Sequence, residues 1–175
     1  MELKETTAVI TGASGRLGSG IAQALAQAGC NCICHYHTNQ TKALTVVEQI
    51  RQSGVEALAV QADLTRPEEA ARLFDQAEQL GKPRVLVNSA AVFARAELEQ
   101  VSLEQLREVL DLNLCAAILT SRSFARGLGA EARQARLPIA KIVNISDVGG
   151  IRPWAGYTAY CSSNAALIGA TKALA

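Results

Sequence analysis

The sequence predicts an α/β protein built on a doubly wound parallel sheet, and three observations predict it. Short β-branched runs alternate in rotation with longer stretches of helical periodicity. The strand runs are apolar throughout, as strands covered on both faces are. A glycine-rich turn joins the first strand to the first helix.

The elements follow in order. The first strand is TTAVIT (6–11), and a helix comes after it with Ile21, Leu25 and Ala28 at helical spacing. NCICHY (31–36) and EALAVQA (56–62) are the second and third strands. Thr65, ahead of Pro67, Glu68 and Glu69, is read as the start of the next helix. RVLVN (84–88) is the fourth strand, and Ser102 with Gln105 forms a capping box for a helix beyond it. AKIVNIS (140–146) is the fifth. Right-handed crossovers between parallel strands then cover both faces of the sheet.

The 175 residues are enough for one domain, 1–175, with a sizeable core. Hydrophobic residues at 49% and charged residues at 19% exclude a disordered chain. A net charge of +1 argues against nucleic acid or an anionic membrane as a partner, since both favour a basic excess. The segment MELKETTAVITG reads as neither a secretory signal nor a membrane span, so a cytoplasmic location is expected. Cys30, Cys32 and Cys34 would share one face of a strand, a spacing that suits neither a zinc knuckle nor a disulfide framework. They are expected to be reduced core thiols, and no metal site is expected. Cys115 and Cys161 stand apart in helical contexts.

The first strand runs into TGASGRLG, which includes Gly12, Ser14, Arg16, Leu17 and Gly18. Glycines at such a junction let the backbone turn tightly and bring its N–H groups to a phosphate at the helix start. This context predicts dinucleotide binding. Arg16 sits in the first helical turn, where a cation opposes the macrodipole. It is either a solvated surface arginine or a partner for a bound anion. A carboxylate about 20 residues past the glycines would select the free ribose hydroxyl of NAD. Here the second strand ends in His35, Tyr36, His37, Thr38 and Asn39, with no carboxylate. Donors of these kinds suit a 2′-phosphate, so NADPH is favoured over NADH.

With these residues the chain resembles the short-chain dehydrogenase/reductase family, a Rossmann-type fold, from Thr6 to its last residue. The resemblance implies that Asp63 and Leu64 meet the adenine. It places Asn88, Ser89 and Ala90 of VNSAA (87–91), together with Ser146, at the cofactor. Asn113 in the long helix and Tyr160 complete the pattern. Three features resemble the pteridine reductase branch: arginine at position 16 where most of the family has glycine, the HYH ending of the second strand, and Asp147 thirteen positions before Tyr160. Phe93 falls where that branch stacks an aromatic ring on the pterin, although core packing is an equal reading.

The resemblance implies hydride transfer from NADPH to a C=N or C=O bond of a pterin or related small carbonyl substrate. Tyr160 would donate the proton, Asp147 would hydrogen-bond the substrate or relay a proton, and Asn113 would hold a water. The family's lysine, four residues past the tyrosine, is replaced by Asn164, which brings no charge to lower the phenol pKa. Asn164 keeps the capacity to hydrogen-bond a ribose hydroxyl. Lys172 lies twelve positions beyond Tyr160, roughly 18 Å along a helix, too far to substitute. Ser89 replaces the usual second asparagine, and Ala91 the serine of the pteridine branch. Family members continue through two more strands and a substrate-covering segment, so the sheet is expected to be truncated after five strands and the tyrosine-bearing helix. A homo-oligomer is expected through the helices carrying Asn113 and Tyr160. The alternative reading is a non-catalytic nucleotide-binding or subunit-pairing protein on the same fold.

Overall fold

The computed structural model describes residues 2–135 and 138–175. Five strands form one parallel sheet: β1 (Thr7–Ile10), β2 (Asn31–Tyr36), β3 (Ala57–Gln61), β4 (Pro83–Asn88) and β5 (Lys141–Asn144). Their spatial order is β3-β2-β1-β4-β5. Among the described residues six α-helices connect or follow them: α1 (Arg16–Gln27), α2 (Gln40–Arg51), α3 (Pro67–Ala77), α4 (Leu103–Leu110), α5 (Ala116–Gln134) and α6 (Thr158–Leu174).

The period of two along the strands explains why the runs are apolar without interruption. Ala8, Ile10, Cys32, Cys34, Val85 and Val87 pack on one face against Ala22 and Ala26 of α1 and Val46, Val47 and Ile50 of α2. Val9, Ile33 and Leu86 point the other way, onto Leu73 and Phe74 of α3 and Phe124 and Leu128 of α5. The three cysteines from 30 to 34 are buried and free, as their alternation predicted. Burial pushes the Cys34 thiol up to about 12 and raises that of Cys32 as well, so both stay protonated and inert.

Some local readings shift. Ala28 lies on the exposed side of its helix as the C-cap, and the buried stripe of α1 is Gly18, Ala22 and Ala26. Small residues there let α1 lie close to the sheet; the Cys32 thiol reaches the Ala22 carbonyl at 3.5 Å. Thr65 is not the start of α3. Arg66 is its N-cap and Pro67 its first residue, while the Thr65 hydroxyl turns back to Asp63 at 2.6 Å. Ser102 and Gln105 form the expected capping box on α4. β5 is shorter than the run that announced it, and its residues Lys141–Val143 are exposed at the sheet edge. No helix among the described residues is long and apolar enough to cross a membrane.

β1 and β4 are neighbours, yet the chain leaves them toward opposite faces of the sheet. A crevice opens at such a switch point, beyond the carboxyl ends of the strands.

Candidate functional site

The crevice is a groove of about 430 Å³ whose walls come from the ends of four strands. Gly12, Ser14 and Gly15 after β1 border it, with His37 and Thr38 after β2, Asp63 and Leu64 after β3, and Ser89 and Ala90 after β4. Gly12 takes φ +66°, and a Cβ there would stand 2.9 Å from Ala90 Cα. Only glycine lets the two loops approach so closely. A Cβ on Gly18 would meet the Gly12 carbonyl oxygen at 2.4 Å, so α1 starts directly against the loop. Gly15, the N-cap of α1, supplies no side-chain cap. The first backbone N–H groups of α1, at Arg16, Leu17 and Gly18, therefore have no intrahelical acceptor. Arg16 and Leu17 themselves are exposed.

The residues at the end of β2 separate into two groups. His37 and Thr38 are exposed on the groove wall. Asn39 caps α2, its side chain accepting the Lys42 N–H at 3.1 Å. Tyr36 is buried over all but 6% of its surface. His35 is buried too, with both ring nitrogens engaged: Nδ1 accepts the Gly12 N–H and Nε2 lies on the Ala62 carbonyl, each at 3.0 Å. Burial pushes its pKa down to about 4 against the partial support of the Ala62 carbonyl. It is a neutral imidazole at pH 7, and both ring nitrogens are taken by its own chain.

Asp63 accepts the Thr65 N–H at 3.0 Å and its hydroxyl at 2.6 Å, and Arg66 lies 3.4 Å away. The Thr65 hydroxyl bond in particular holds this carboxyl below its ordinary pKa, so it is ionised on the groove wall. Asn88 is a knot rather than an open donor. Its Nδ2 faces the Ala117 carbonyl, the Ser121 hydroxyl and Asn144 Oδ1, and its Oδ1 accepts the Thr120 hydroxyl at 2.7 Å. Beside it, Thr11 Oγ1 accepts the N–H groups of Ser89 and Ala90 at 2.9 and 3.0 Å.

A second set of residues gathers around α6. Tyr160 and Asn164 lie one helical turn apart, and both are buried. Asp147 precedes a 3-10 turn (Val148–Gly150), whose Gly149 N–H its carboxylate accepts at 2.7 Å. A Cβ on Gly150 would stand 2.9 Å from backbone atoms of α6, so glycine seats this turn on the helix. Burial first, and then the Asp147 charge, raises the Tyr160 phenol above its ordinary pKa, with Asn164 opposing. The amide of Asn164 is bound within the chain: Nδ2 donates to the Tyr160 carbonyl at 3.0 Å and Oδ1 accepts the Ser146 hydroxyl at 3.1 Å. Asn113 lies in a π turn (Asp111–Cys115) between α4 and α5. Its amide accepts the Val92 N–H at 2.8 Å, and donates to the Val92 carbonyl at 3.0 Å and to the Ser163 hydroxyl at 3.2 Å. Asn113 thus ties the loop after β4 to α6. Phe93, next along that loop, is 62% exposed and so is not core packing. Its ring stacks on Tyr157 and meets Tyr160 edge-on, both with centroids 4.7 Å apart.

The model of the short chain dehydrogenase family matches residues 6–175. The chain belongs to that family. An uncharacterised oxidoreductase of Methylorubrum extorquens is 35% identical over 148 residues, covering 84% of this chain and 56% of the relative. A 3-oxoacyl-[acyl-carrier-protein] reductase of Synechocystis is 32% identical over 99% of this chain and 68% of its own length. The crystal structure of a short-chain dehydrogenase from Burkholderia cenocepacia in complex with NADP superposes with a TM-score of 0.90 at 32% identity, over 99% of this chain and 69% of that one. The chain therefore spans little more than half to about two thirds of the length of these relatives.

Three residues that tie the site together were not legible in sequence. Thr11 looked like the end of a strand, yet its hydroxyl joins the loops after β1 and β4. Ser163 receives Asn113 and itself donates to the Tyr160 carbonyl at 2.7 Å. Tyr157 carries the Phe93 ring. The available signals were a hydroxyl at a strand end and polar residues spaced along α6 with Tyr160.

Proposed function

We propose that the protein is an NADPH-dependent reductase that transfers hydride to a C=N or C=O bond of a planar pteridine-type substrate. Features of the groove support the cofactor. The N-terminus of α1 lacks a side-chain cap, Gly12 and Gly18 leave the loop free of side chains, and the end of β2 carries no carboxylate. Arg16, His37 and Thr38 would hold the 2′-phosphate, with Ser14, Leu17 and Asn39 near it. Asp63, Leu64, Ser89 and Ala90 would border the adenosine and ribose. NADPH, when bound, supplies the hydride.

The remaining chemistry belongs to this chain. Tyr160 donates its phenolic proton to the nitrogen or oxygen of the reduced bond. Its raised pKa keeps that proton in place at neutral pH. Asp147 accepts a hydrogen bond from the substrate and relays a proton back toward the phenol. Ser146 and Asn164 hold the turn carrying Asp147 against α6. Asn113 holds the loop that presents Phe93.

The observation that carries the substrate class is the exposed Phe93 ring, edge-on to Tyr160 at 4.7 Å, a surface that suits a flat heteroaromatic ring. One second reading has an observation behind it. Asn164 brings no positive charge to the phenol, which favours a dinucleotide-binding protein without turnover. Following NADPH consumption with a quinonoid dihydropterin separates the two. The reductase reading expects turnover that falls about 10²-fold or more in Tyr160→Phe. NADPH binding without turnover supports the second reading, and no binding contradicts both.

A further inference from the structure

We propose that His35 is a positioning residue for the dinucleotide site, a neutral strut that fixes the phosphate loop without contacting the ligand's phosphates. The ring borders the groove, yet only 2% of the residue is exposed. Its Nε2 lies 3.0 Å from the Ala62 carbonyl oxygen. A carbonyl only accepts, so Nε2 carries the proton. Its Nδ1 lies 3.0 Å from the Gly12 nitrogen and accepts that N–H, so Nδ1 carries none. The geometry therefore defines a single neutral tautomer. A histidine paired with a phosphate needs a proton facing the anion, and neither nitrogen has one to offer.

The same residue holds the loop a second time through its backbone, whose carbonyl accepts the Ala13 N–H at 2.9 Å. From Gly12 the constraint runs onward. The Gly12 carbonyl accepts the Gly15 N–H at 2.9 Å, and Gly15 is the N-cap of α1. The bond from Gly12 to His35 thus sets where the first N–H groups of α1 point. Thr11 braces the opposite side through Ser89 and Ala90. His35 therefore acts on the part of a dinucleotide that NADPH and NADH share, whereas Arg16 acts on the 2′-phosphate. The depressed His35 pKa agrees with this neutral role.

The inference rests on the dinucleotide reading above, and the test separates the two. Dissociation constants for NADPH and NADH are measured by calorimetry on the unaltered chain, His35→Leu and His35→Gln, with thermal melts as a control for folding. The expected result is that His35→Leu weakens both cofactors by a similar factor, about tenfold or more. His35→Gln, which keeps an acceptor and a donor, recovers most of that loss. A loss confined to NADPH makes His35 a phosphate ligand and overturns the proposal, as does no loss for either cofactor. If the unaltered chain binds neither, the dinucleotide reading fails and takes the proposal with it. Should His35→Leu not fold, the imidazole 15N signals of the unaltered protein decide. The proposal expects a neutral Nε2–H ring at pH 6 that responds alike to both cofactors. A doubly protonated ring, or a response to NADPH alone, overturns it.

Discussion

Asn164 bears most directly on catalysis. Its amide joins Ser146 to the Tyr160 carbonyl and leaves the phenol without a cation, while burial and Asp147 hold the phenol pKa above its usual value. Asn164→Lys should place an ammonium beside the phenol and lower that pKa. Dihydropterin reduction should then rise by at least about tenfold, within the range typical of a tuned proton donor. The basic limb of the pH–rate profile, set by loss of the phenolic proton, should move toward neutrality. Tyr160→Phe in the same background should remove the gain; an unchanged profile would place the limiting step elsewhere. The sequence named the residues of this cluster but not all of their duties. His35 and Asn88 read as cofactor contacts and Asn113 as the holder of a water, because polar side chains at a cleft look alike in sequence whether they face a ligand or their own chain. What separates them is a partner distant in sequence: Ala62 for His35, Ser121 for Asn88, Val92 for Asn113.

The elements were more legible, since each is dictated by a local period. Five apolar runs became five strands, and the capping box at Ser102 formed as its spacing requires. Thr65 failed as a helix start because Asp63 captured its hydroxyl, leaving Arg66 as the N-cap. The π turn at Asp111–Cys115 had no sequence signal, since it is a change in hydrogen-bond register within a continuous helix. The first helix offers a paired test of loop against helix. A Cβ added at Gly18 would stand 2.4 Å from the Gly12 carbonyl oxygen, whereas one at Gly20 would meet nothing within 4 Å. Gly18→Ala should destabilise by about 1–3 kcal/mol through overpacking. Gly20→Ala should stabilise by about 0.5–1 kcal/mol through helix propensity. Denaturant melts report both, and equal responses would show that close contact between α1 and the loop is absent.

At the scale of the whole molecule, rotation of strand and helix implied a doubly wound sheet. The order β3-β2-β1-β4-β5 then places the crevice between β1 and β4. The groove there was legible because its walls are strand ends, and strand ends were what the sequence marked most clearly. The substrate side was less so: Phe93 follows β4, Asp147 follows β5 and Tyr160 lies on α6, and only the sheet brings them together. The proposed NADPH-dependent reductase depends on this groove taking a dinucleotide and choosing one with a 2′-phosphate. Calorimetric titration of NADPH and NADH against the unaltered chain and Arg16→Ala tests that choice most directly. NADPH should bind the unaltered chain more tightly than NADH. Arg16→Ala should weaken NADPH by about 1.5–3 kcal/mol, the scale of a charged hydrogen bond, and leave NADH nearly unchanged. Equal losses for the two cofactors, or tighter binding of NADH by the unaltered chain, would contradict it.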